Sequence, residues 1–357
     1  MANNRRNGKK TINLALQGGG AHGAFTWGVL DRLLQDERLE FEGLSGTSAG
    51  AMNAAIMVDG WERGGREGAR EALARFWQSV ADAGQLSPLR PTPIERWFGG
   101  WGYERTPAFF WMDLMSRIFS PYQINPFNYN PLREILGDSI DFERLRTCDH
   151  LKLFISTTSV NTGKSRVFSK PEVTLDVLLA SACLPFLFQA IEIDGQSFWD
   201  GGFLGNPALY PLIYNCDCRD IVIVQINPLA IDETPTSSEE ILDRMNEISF
   251  NASLIGEIRA IDFIARQLAE QKLDDARYKR MHLHMIDAEE KMRQFGYASK
   301  LNADMEFLLY LKSIGTEAAG LWLAANFDSI GRQATIDRDR FLSVELPKPH
   351  RPTGNAR

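Results

Sequence analysis

A serine framed by glycines stands within the first fifty residues, in the pentapeptide Gly46-Thr47-Ser48-Ala49-Gly50. An apolar segment ends just before it at Leu44, and a run of small residues that favours a helix, Ala51 to Ile56, follows. A G-x-S-x-G pattern between a strand and a helix is typical of a nucleophile elbow, which holds its serine in a tight, strained turn. Glycine at positions 46 and 50 keeps side chains away from that turn. Ser48 is therefore a candidate nucleophile, although the pentapeptide by itself also occurs by chance.

A second glycine-rich loop, Gly18-Gly19-Gly20-Ala21-His22-Gly23, lies between a predicted strand and a predicted helix. Its G-x-G-x-x-G spacing matches the dinucleotide-binding fingerprint. Glu42 follows the loop by about 20 residues, where that fingerprint has the acidic residue that binds the ribose. However, Gly-Leu-Ser-Gly follows Glu42 at once, which leaves little room for the second strand of a nucleotide-binding unit. Nucleotide binding also does not explain the serine turn. The other use of the loop is an oxyanion hole of backbone N–H groups. Its predicted donors are Gly18, Gly19, Gly20 and Ala49.

A serine nucleophile needs a base, which is either a histidine or an acid in this chain. His282 and His284 alternate along a predicted strand, so we expect both on one solvated face. His150 lies in a turn-like segment that we expect at the surface. Asp200 is the better candidate, because it ends a predicted strand and the glycines that follow, Gly201 and Gly202, permit close backbone approach.

Together, the three glycine-framed sites resemble the bacterial patatin-like phospholipase family, which carries G-G-G-x-(Arg/Lys)-G, then G-x-S-x-G, then D-G-(Gly/Ala). The segments Ala180-Ser181-Ala182-Cys183-Leu184-Pro185 and Asn206-Pro207 are similar as well. The resemblance extends over roughly residues 11–230. It implies a three-layer α/β/α fold with a mostly parallel central sheet. It also implies a Ser48–Asp200 dyad that hydrolyses lipid esters, as a phospholipase A or a lysophospholipase does, with no metal and no cofactor.

One position of the glycine loop departs from the family pattern. His22 stands where the family has Arg or Lys, so a fixed positive charge is missing there. A histidine is charged only part of the time near neutral pH. The sequence therefore does not predict a preference for an anionic phospholipid head group. Two alternatives to a hydrolase stay open, an acyltransferase with the same dyad and a regulator that binds a nucleotide through Gly18–Gly23 alone.

The elements that must position these residues alternate strand, helix, strand and helix over the first sixty residues. This order favours an α/β architecture with a parallel sheet. Later, Ser237 and Glu240 form a capping box that opens a long helix. The apolar stripe of this helix is expected to pack on the core, and a coiled-coil partner or homo-oligomer through the C-terminal helices is the alternative. The stripe consists of Ile241, Met245, Ile248, Ala252 and Ile255.

We expect one patatin-like α/β domain over residues 11–346, between a disordered basic tail (1–10) and a flexible tail (347–357). Its C-terminal part (237–346) is predicted to be mostly helical and packed on the core. Residues 86–131 form an insertion rich in proline and aromatic residues. It is predicted to be a lid or acyl-binding cap, with a self-packed subdomain or dimer interface as the alternative. The predicted lipid-binding residues are Trp97, Trp101, Phe109, Phe110 and Trp111.

The overall composition, with 44% hydrophobic and 24% charged residues, is that of a globular protein. A net charge of −7 argues against a nucleic-acid partner. The four cysteines have no disulfide spacing and make no metal site, so a reduced, cytoplasmic compartment is expected. The first ten residues lack the apolar core of a signal peptide, and no apolar run is long enough to span a membrane. The expected partner is a lipid or another acyl ester, with peripheral membrane contact.

Overall fold

The computed structural model describes residues 8–85, 101, 115, 118–147, 149–231, 233–274 and 277–342. The strands of this part of the chain form one eight-stranded sheet. They are β1 (Lys10–Leu16), β2 (Leu39–Gly46), β3 (Lys152–Ser159), β4 (Ser165–Ser169), β5 (Ile191–Ile193), β6 (Gln196–Asp200), β7 (Asp220–Val224) and β8 (His282–Ile286).

The sheet is flanked by helices of very different lengths. In chain order they are α1 (Gly23–Leu34), α2 (Ala49–Gln85), α3 (Pro121–Ile124), α4 (Pro131–Ser139), α5 (Phe142–Thr147), α6 (Leu175–Ser181), α7 (Tyr210–Asn215), α8 (Ser238–Ala269), α9 (Glu289–Met292), α10 (Met305–Asn326) and α11 (Asp339–Leu342). None of these helices combines the length and the apolar composition that crossing a membrane requires.

The strand order is β5-β6-β3-β2-β1-β7-β8, and β4 pairs with β3 outside this path. Strands β3, β2, β1, β7 and β8 run parallel to one another. Strands β4 and β6 are both antiparallel to β3, and β5 is antiparallel to β6. The loops after β1 and β2 therefore emerge at the same edge of the sheet, where ligands bind in open α/β folds.

Alternate residues along the central strands enter two different apolar cores. Leu14 and Leu16 of β1 belong to a core that includes residues of α1, α2 and α10. Ala15, together with Ile221 and Ile223 of β7, belongs to a second core that includes residues of α7 and α8. Since side chains along a strand point to opposite faces of a sheet, helices cover both faces. The predicted three-layer α/β/α fold with a mostly parallel sheet is confirmed.

Helix α10 holds the C-terminal part of the chain against α1. A Cβ on Gly315 would lie 2.0 Å from the carbonyl oxygen of Phe25, and one on Gly28 would lie 2.0 Å from that of Lys312. Only glycine allows two helix backbones to approach so closely. The turn that precedes α10, Tyr297–Leu301, is thereby fixed next to the loop that follows β1.

The expected packing of the α8 stripe on the core is wrong for its first half. Ile241, Met245 and Ile248 are 44%, 58% and 55% exposed. Further along α8, Leu254 and Ile258 are buried in the second core. The 4-3 spacing describes one continuous face, whereas the buried residues of this helix begin at Asn251, and Ile255 of the stripe packs against the second core. A partner for the exposed half stays a prediction.

The aromatic insertion falls largely outside the described residues, and Trp97, Phe109, Phe110 and Trp111 lie there. Trp101 is partly buried and stacks on Phe307 and Tyr310 of α10, with ring centroids 5.2 Å and 6.0 Å away. Its carbonyl oxygen accepts a hydrogen bond from Asn302. The Trp101 side chain therefore packs against α10.

Candidate active site

Ser48 occupies the turn between β2 and α2 in a strained conformation. Its φ angle is 53°, in the left-handed region that side chains other than glycine rarely adopt. The turn is packed tightly against the end of β1, since a Cβ on Gly50 would lie 2.2 Å from the carbonyl oxygen of Leu16. Ser48 itself is partly exposed. These are the features of the nucleophile elbow predicted from the sequence.

A buried hydroxyl fixes the elbow to the neighbouring strand. The backbone N–H of Ser48 donates to Ser181 Oγ at 2.9 Å, and Ser181 Oγ donates to the carbonyl oxygen of Ser156 at 2.7 Å. Ser181 is at the end of α6, and Ser156 lies in the middle of β3. Through this pair of hydrogen bonds, α6 and β3 hold the serine turn in place.

The register of β3 brings Asp200 to the same turn. Gly46, the last residue of β2, is opposite Ile155 of β3, and Asp200, the last residue of β6, is opposite Thr157. Strand β4 occupies the other edge of β3, so β2 and β6 share one edge and meet end to end. Asp200 therefore lies beside the elbow, and the Ser48 side chain is near enough to its carboxyl group to act on its pKa.

The Asp200 carboxyl group is almost completely buried, with 1% of the residue exposed. Its Oδ1 accepts a hydrogen bond of 2.7 Å from the backbone N–H of Gly202. Burial raises the pKa of Asp200 to about 7, against the opposing effects of the Gly202 N–H and the Ser48 hydroxyl. Near neutral pH the group is therefore present in both protonation states, as general acid–base chemistry requires.

The glycine loop that follows β1 lies directly against the serine. A Cβ on Gly18 would lie 2.7 Å from Ser48 Cβ, and Gly20 has a φ angle of 59°. The Gly18 N–H donates to Asn206 Oδ1 at 2.7 Å, so this predicted oxyanion donor is engaged within the protein. The loop continues into a short 3-10 turn, Gly20–His22, that leads into α1. Gly19, Gly20 and Ala49 remain as the proposed donors.

His22 is a buried, neutral member of this loop. Its Nε2 lies 2.7 Å from Ser299 Oγ, which itself donates to the carbonyl oxygen of Gly296. The hydroxyl proton is thus used, so His22 Nε2 is the donor to Ser299. Burial and the charge of Lys300 lower the pKa of His22 well below its ordinary value. His22 therefore supplies no positive charge to the loop.

The chain matches the patatin-like phospholipase family over residues 14–213, more than half of its 357 residues. It belongs to this family. The matched residues contain the end of β1, the glycine loop, the serine elbow and the Asp-Gly-Gly turn. A comparison with curated proteins gave no match.

Two solved structures are similar to this chain at low sequence identity. One is VipD from Legionella pneumophila, with 16% identity and a TM-score of 0.36, over 85% of this chain and 66% of that chain. Another is ExoU in its heterodimeric complex with SpcU from Pseudomonas aeruginosa, with 13% identity and a TM-score of 0.34, over 90% of this chain and 52% of that chain. This patatin-like chain thus spans between about half and two thirds of their lengths, and likenesses at this level carry no functional information.

The histidines that follow Ser48 in the described part of this patatin-like chain do not offer it a base. The expectation that His282 and His284 share a solvated face is wrong, because His284 is fully buried and both rings contact Asp220. Asp220 and His282 begin β7 and β8, at the edge of the sheet opposite the elbow. His150 is exposed and bonded to Glu62, and His350 lies outside the described residues.

Several polar residues around the patatin-like site were not identified from the sequence. Gln17 Oε1 accepts from the backbone N–H groups of Ile226 and Asn227, and its Nε2 donates to Asn251 Oδ1 at 2.9 Å. These buried amides tie the glycine loop to the end of β7 and to α8. Only the position of Gln17 beside Gly18 could have indicated this role, since its partners lie more than 200 residues away in the sequence.

Proposed function

We propose that this protein is a serine acyl hydrolase that cleaves carboxylic esters of lipids through an acyl-Ser48 intermediate, with Asp200 as the base. The observation that carries the proposal is that the register of β2, β3 and β6 places Ser48, in its strained turn, beside a buried carboxyl group whose pKa burial raises to about 7. A carboxylate with this pKa is a far better proton acceptor for a hydroxyl group than one with an ordinary value. Membership in the patatin-like phospholipase family supports a lipid ester as the substrate.

In the first step, Ser48 Oγ attacks the ester carbonyl carbon while its proton passes to Asp200. The carbonyl oxygen becomes an oxyanion, which would be bound by backbone N–H groups of Gly19, Gly20 and Ala49. Collapse of this intermediate breaks the ester C–O bond, and Asp200 returns the proton to the leaving alcohol. The product of this step is an acyl-Ser48 ester.

In the second step, Asp200 takes a proton from a water molecule, which attacks the acyl-Ser48 carbonyl carbon. The second oxyanion occupies the same site, and its collapse releases a carboxylic acid and returns the proton to Ser48. Because a carboxylate is a weak base even at this pKa, the oxyanion donors carry much of the rate. One such donor typically contributes about 3 kcal/mol to transition-state binding.

Product analysis with purified protein tests this function. We expect release of fatty acid from a phospholipid or lysophospholipid, loss of that release in Ser48→Ala and Asp200→Asn, and native folding of both variants. A folded Ser48→Ala variant with wild-type turnover would contradict the proposal. Transfer of the acyl group to an added alcohol in preference to water would make the protein an acyltransferase that uses the same dyad.

We also propose that the described end of the aromatic insertion is where a lipid surface docks. Its large apolar side chains are exposed, up to 94% for Phe127 and 64% for Tyr129. Gln189 Nε2 donates to the carbonyl oxygen of Asn125, which joins this segment to the loop before β5. The same loop carries Phe186, 70% exposed, three residues after the Cys183 carbonyl that accepts from the Asp200 N–H.

Binding to phospholipid vesicles separates docking from catalysis. Phe127→Asp is expected to reduce co-sedimentation with vesicles and their hydrolysis, and to leave hydrolysis of a soluble nitrophenyl ester unchanged. Leu321→Asp is the matched control, because Leu321 is 65% exposed on α10. Equal vesicle binding by wild type and Phe127→Asp would contradict a lipid-docking role for this segment.

A further inference from the structure

Lys300 lies in the turn Tyr297–Leu301 before α10, and it contacts the glycine loop through its backbone and Asn227 through its side chain. Its carbonyl oxygen would lie 2.4 Å from a Cβ on Gly20, and its Nζ donates to Asn227 Oδ1 at 2.9 Å. Asn227 lies in the segment that follows β7. Lys300 therefore places a cation next to the glycine loop, which borders Ser48.

Asn227 is held in one orientation by three groups. Its backbone N–H donates to Gln17 Oε1 at 2.8 Å, and its Nδ2 donates to the carbonyl oxygen of Gly18 at 3.0 Å. The carbonyl oxygen of Gly18 is an acceptor only, and the ammonium group of Lys300 is a donor only. The Asn227 side chain therefore cannot flip, and it connects Lys300 to the Gly18–Gly19 peptide.

The geometry of a trans peptide decides what this connection does. The C=O and N–H groups of a planar trans peptide point in opposite directions. With the Gly18 carbonyl bonded to Asn227, the N–H of Gly19 points to the other side of the loop. Gly18 borders Ser48 closely, since a Cβ on it would lie 2.7 Å from Ser48 Cβ. Hydrogen bonds in a chain polarise one another, so a cation at one end strengthens the donor at the other.

We propose that Lys300 is a positioning residue of the oxyanion loop, which orients and polarises the Gly18–Gly19 peptide through Asn227. This inference rests on the proposed function, because it gives the Gly19 N–H an oxyanion to bind. The loop receives no charge from His22, which is neutral. Lys300 and Asn227 lie outside residues 14–213, so the C-terminal part of the chain completes a site whose main residues lie within the family match.

Burial lowers the pKa of Lys300, and Glu247 and Asp243 of α8 oppose this effect and favour its charged form. Replacement of Lys300 by Met removes the charge and keeps the length of the side chain. Replacement by Arg keeps a charged donor.

The test is steady-state kinetics with an uncharged, soluble nitrophenyl ester, together with the rate at which a fluorophosphonate labels Ser48. Lys300→Met is expected to lower kcat about five- to tenfold and to change KM less than twofold, since part of one oxyanion donor is lost. The labelling rate should fall by a similar factor, and Lys300→Arg should recover most of both. Lys291→Met, which removes an exposed lysine paired with Glu317, should match wild type.

Several results would overturn the proposal. One is a wild-type kcat in Lys300→Met with the uncharged ester. Another is a loss confined to anionic phospholipids, which would make Lys300 a head-group contact. If Lys300→Met does not fold, Asn227→Asp decides, because its carboxylate keeps Lys300 but cannot donate to the Gly18 carbonyl, and a wild-type kcat there refutes the connection. Absence of Ser48 labelling in wild type would instead refute the proposed function, and this inference with it.

Discussion

Replacement of Asp200 by Asn is expected to stabilise the protein while it abolishes hydrolysis. The wild-type carboxyl group is buried, and burial raises its pKa from an ordinary 3.8 to about 7. A group whose pKa is higher in the folded state contributes stability below its unfolded pKa, and loses that contribution as the pH rises through the folded value. Above pH 7 the folded protein must therefore hold a carboxylate that burial disfavours. Asn has the same shape, carries no charge and still accepts from the Gly202 N–H.

The size of the effect follows from the two pKa values. Linkage predicts that the carboxylate costs about 2 kcal/mol at pH 5 and about 4 kcal/mol at pH 8 relative to its cost at low pH. The stability advantage of Asp200→Asn should therefore grow by about 2 to 3 kcal/mol between pH 5 and pH 8. This difference between two pH values does not depend on how well Asn itself fits the site.

Urea denaturation followed by circular dichroism at pH 5 and pH 8 measures this difference. Ser48→Ala is the control, because it removes the nucleophile and keeps the carboxylate, so it should show no gain at pH 8. An Asp200→Asn advantage that stays constant or shrinks from pH 5 to pH 8 would refute the reasoning. Such a result would mean that the buried carboxyl group has no raised pKa in the folded protein.

Three further predictions concern pH and the supports of the site. The kcat/KM for a soluble ester should rise tenfold per pH unit below an apparent pKa near 7 and level off above it, since Asp200 must be ionised; a flat profile from pH 5 to pH 8 would argue against Asp200 as the base. Ser181→Ala should lower kcat at least tenfold, because the Ser48 N–H loses its acceptor. The control is Ser45→Ala, which removes a similar buried hydrogen bond from a hydroxyl to the Ala208 carbonyl. It should cost about 1–3 kcal/mol of stability and leave kcat unchanged. Asp220→Asn should destabilise the protein by about 2 kcal/mol at pH 7, because the contacts with His282 and His284 lower the pKa of Asp220 to about 2. This loss of stability should disappear as the pH falls from 4 to 2. Equal urea midpoints of wild type and variant at pH 7 would contradict the prediction.

The sequence predicted the parts of this molecule that depend on short-range pattern. The elbow, the glycine loop and the α/β class all follow from the spacing of glycines and apolar residues. Asp200 was selected because of the glycines that follow it. That it lies beside Ser48 depends on β2 and β6 sharing one edge of β3, a register that no local pattern encodes.

The residues that the sequence did not identify act over long chain distances. Asn227 and Lys300 contact the glycine loop, although they are separated from it by about 210 to 280 residues. Their side chains are common in surface loops, so their residue types gave no signal. The prediction for the α8 stripe was wrong for a related reason, since a 4-3 spacing describes one face of a helix but not which face meets the core. Which face is buried depends on contacts with β7 and its neighbours.

Covalent labelling of the nucleophile tests the central proposal most directly. The protein is treated with a fluorophosphonate probe, digested, and the modified peptide is located by mass spectrometry. We predict a single adduct on Ser48, no adduct in Ser48→Ala, and much slower labelling in Asp200→Asn. An adduct on another residue, or undiminished ester hydrolysis by a folded Ser48→Ala variant, would contradict a mechanism that passes through acyl-Ser48.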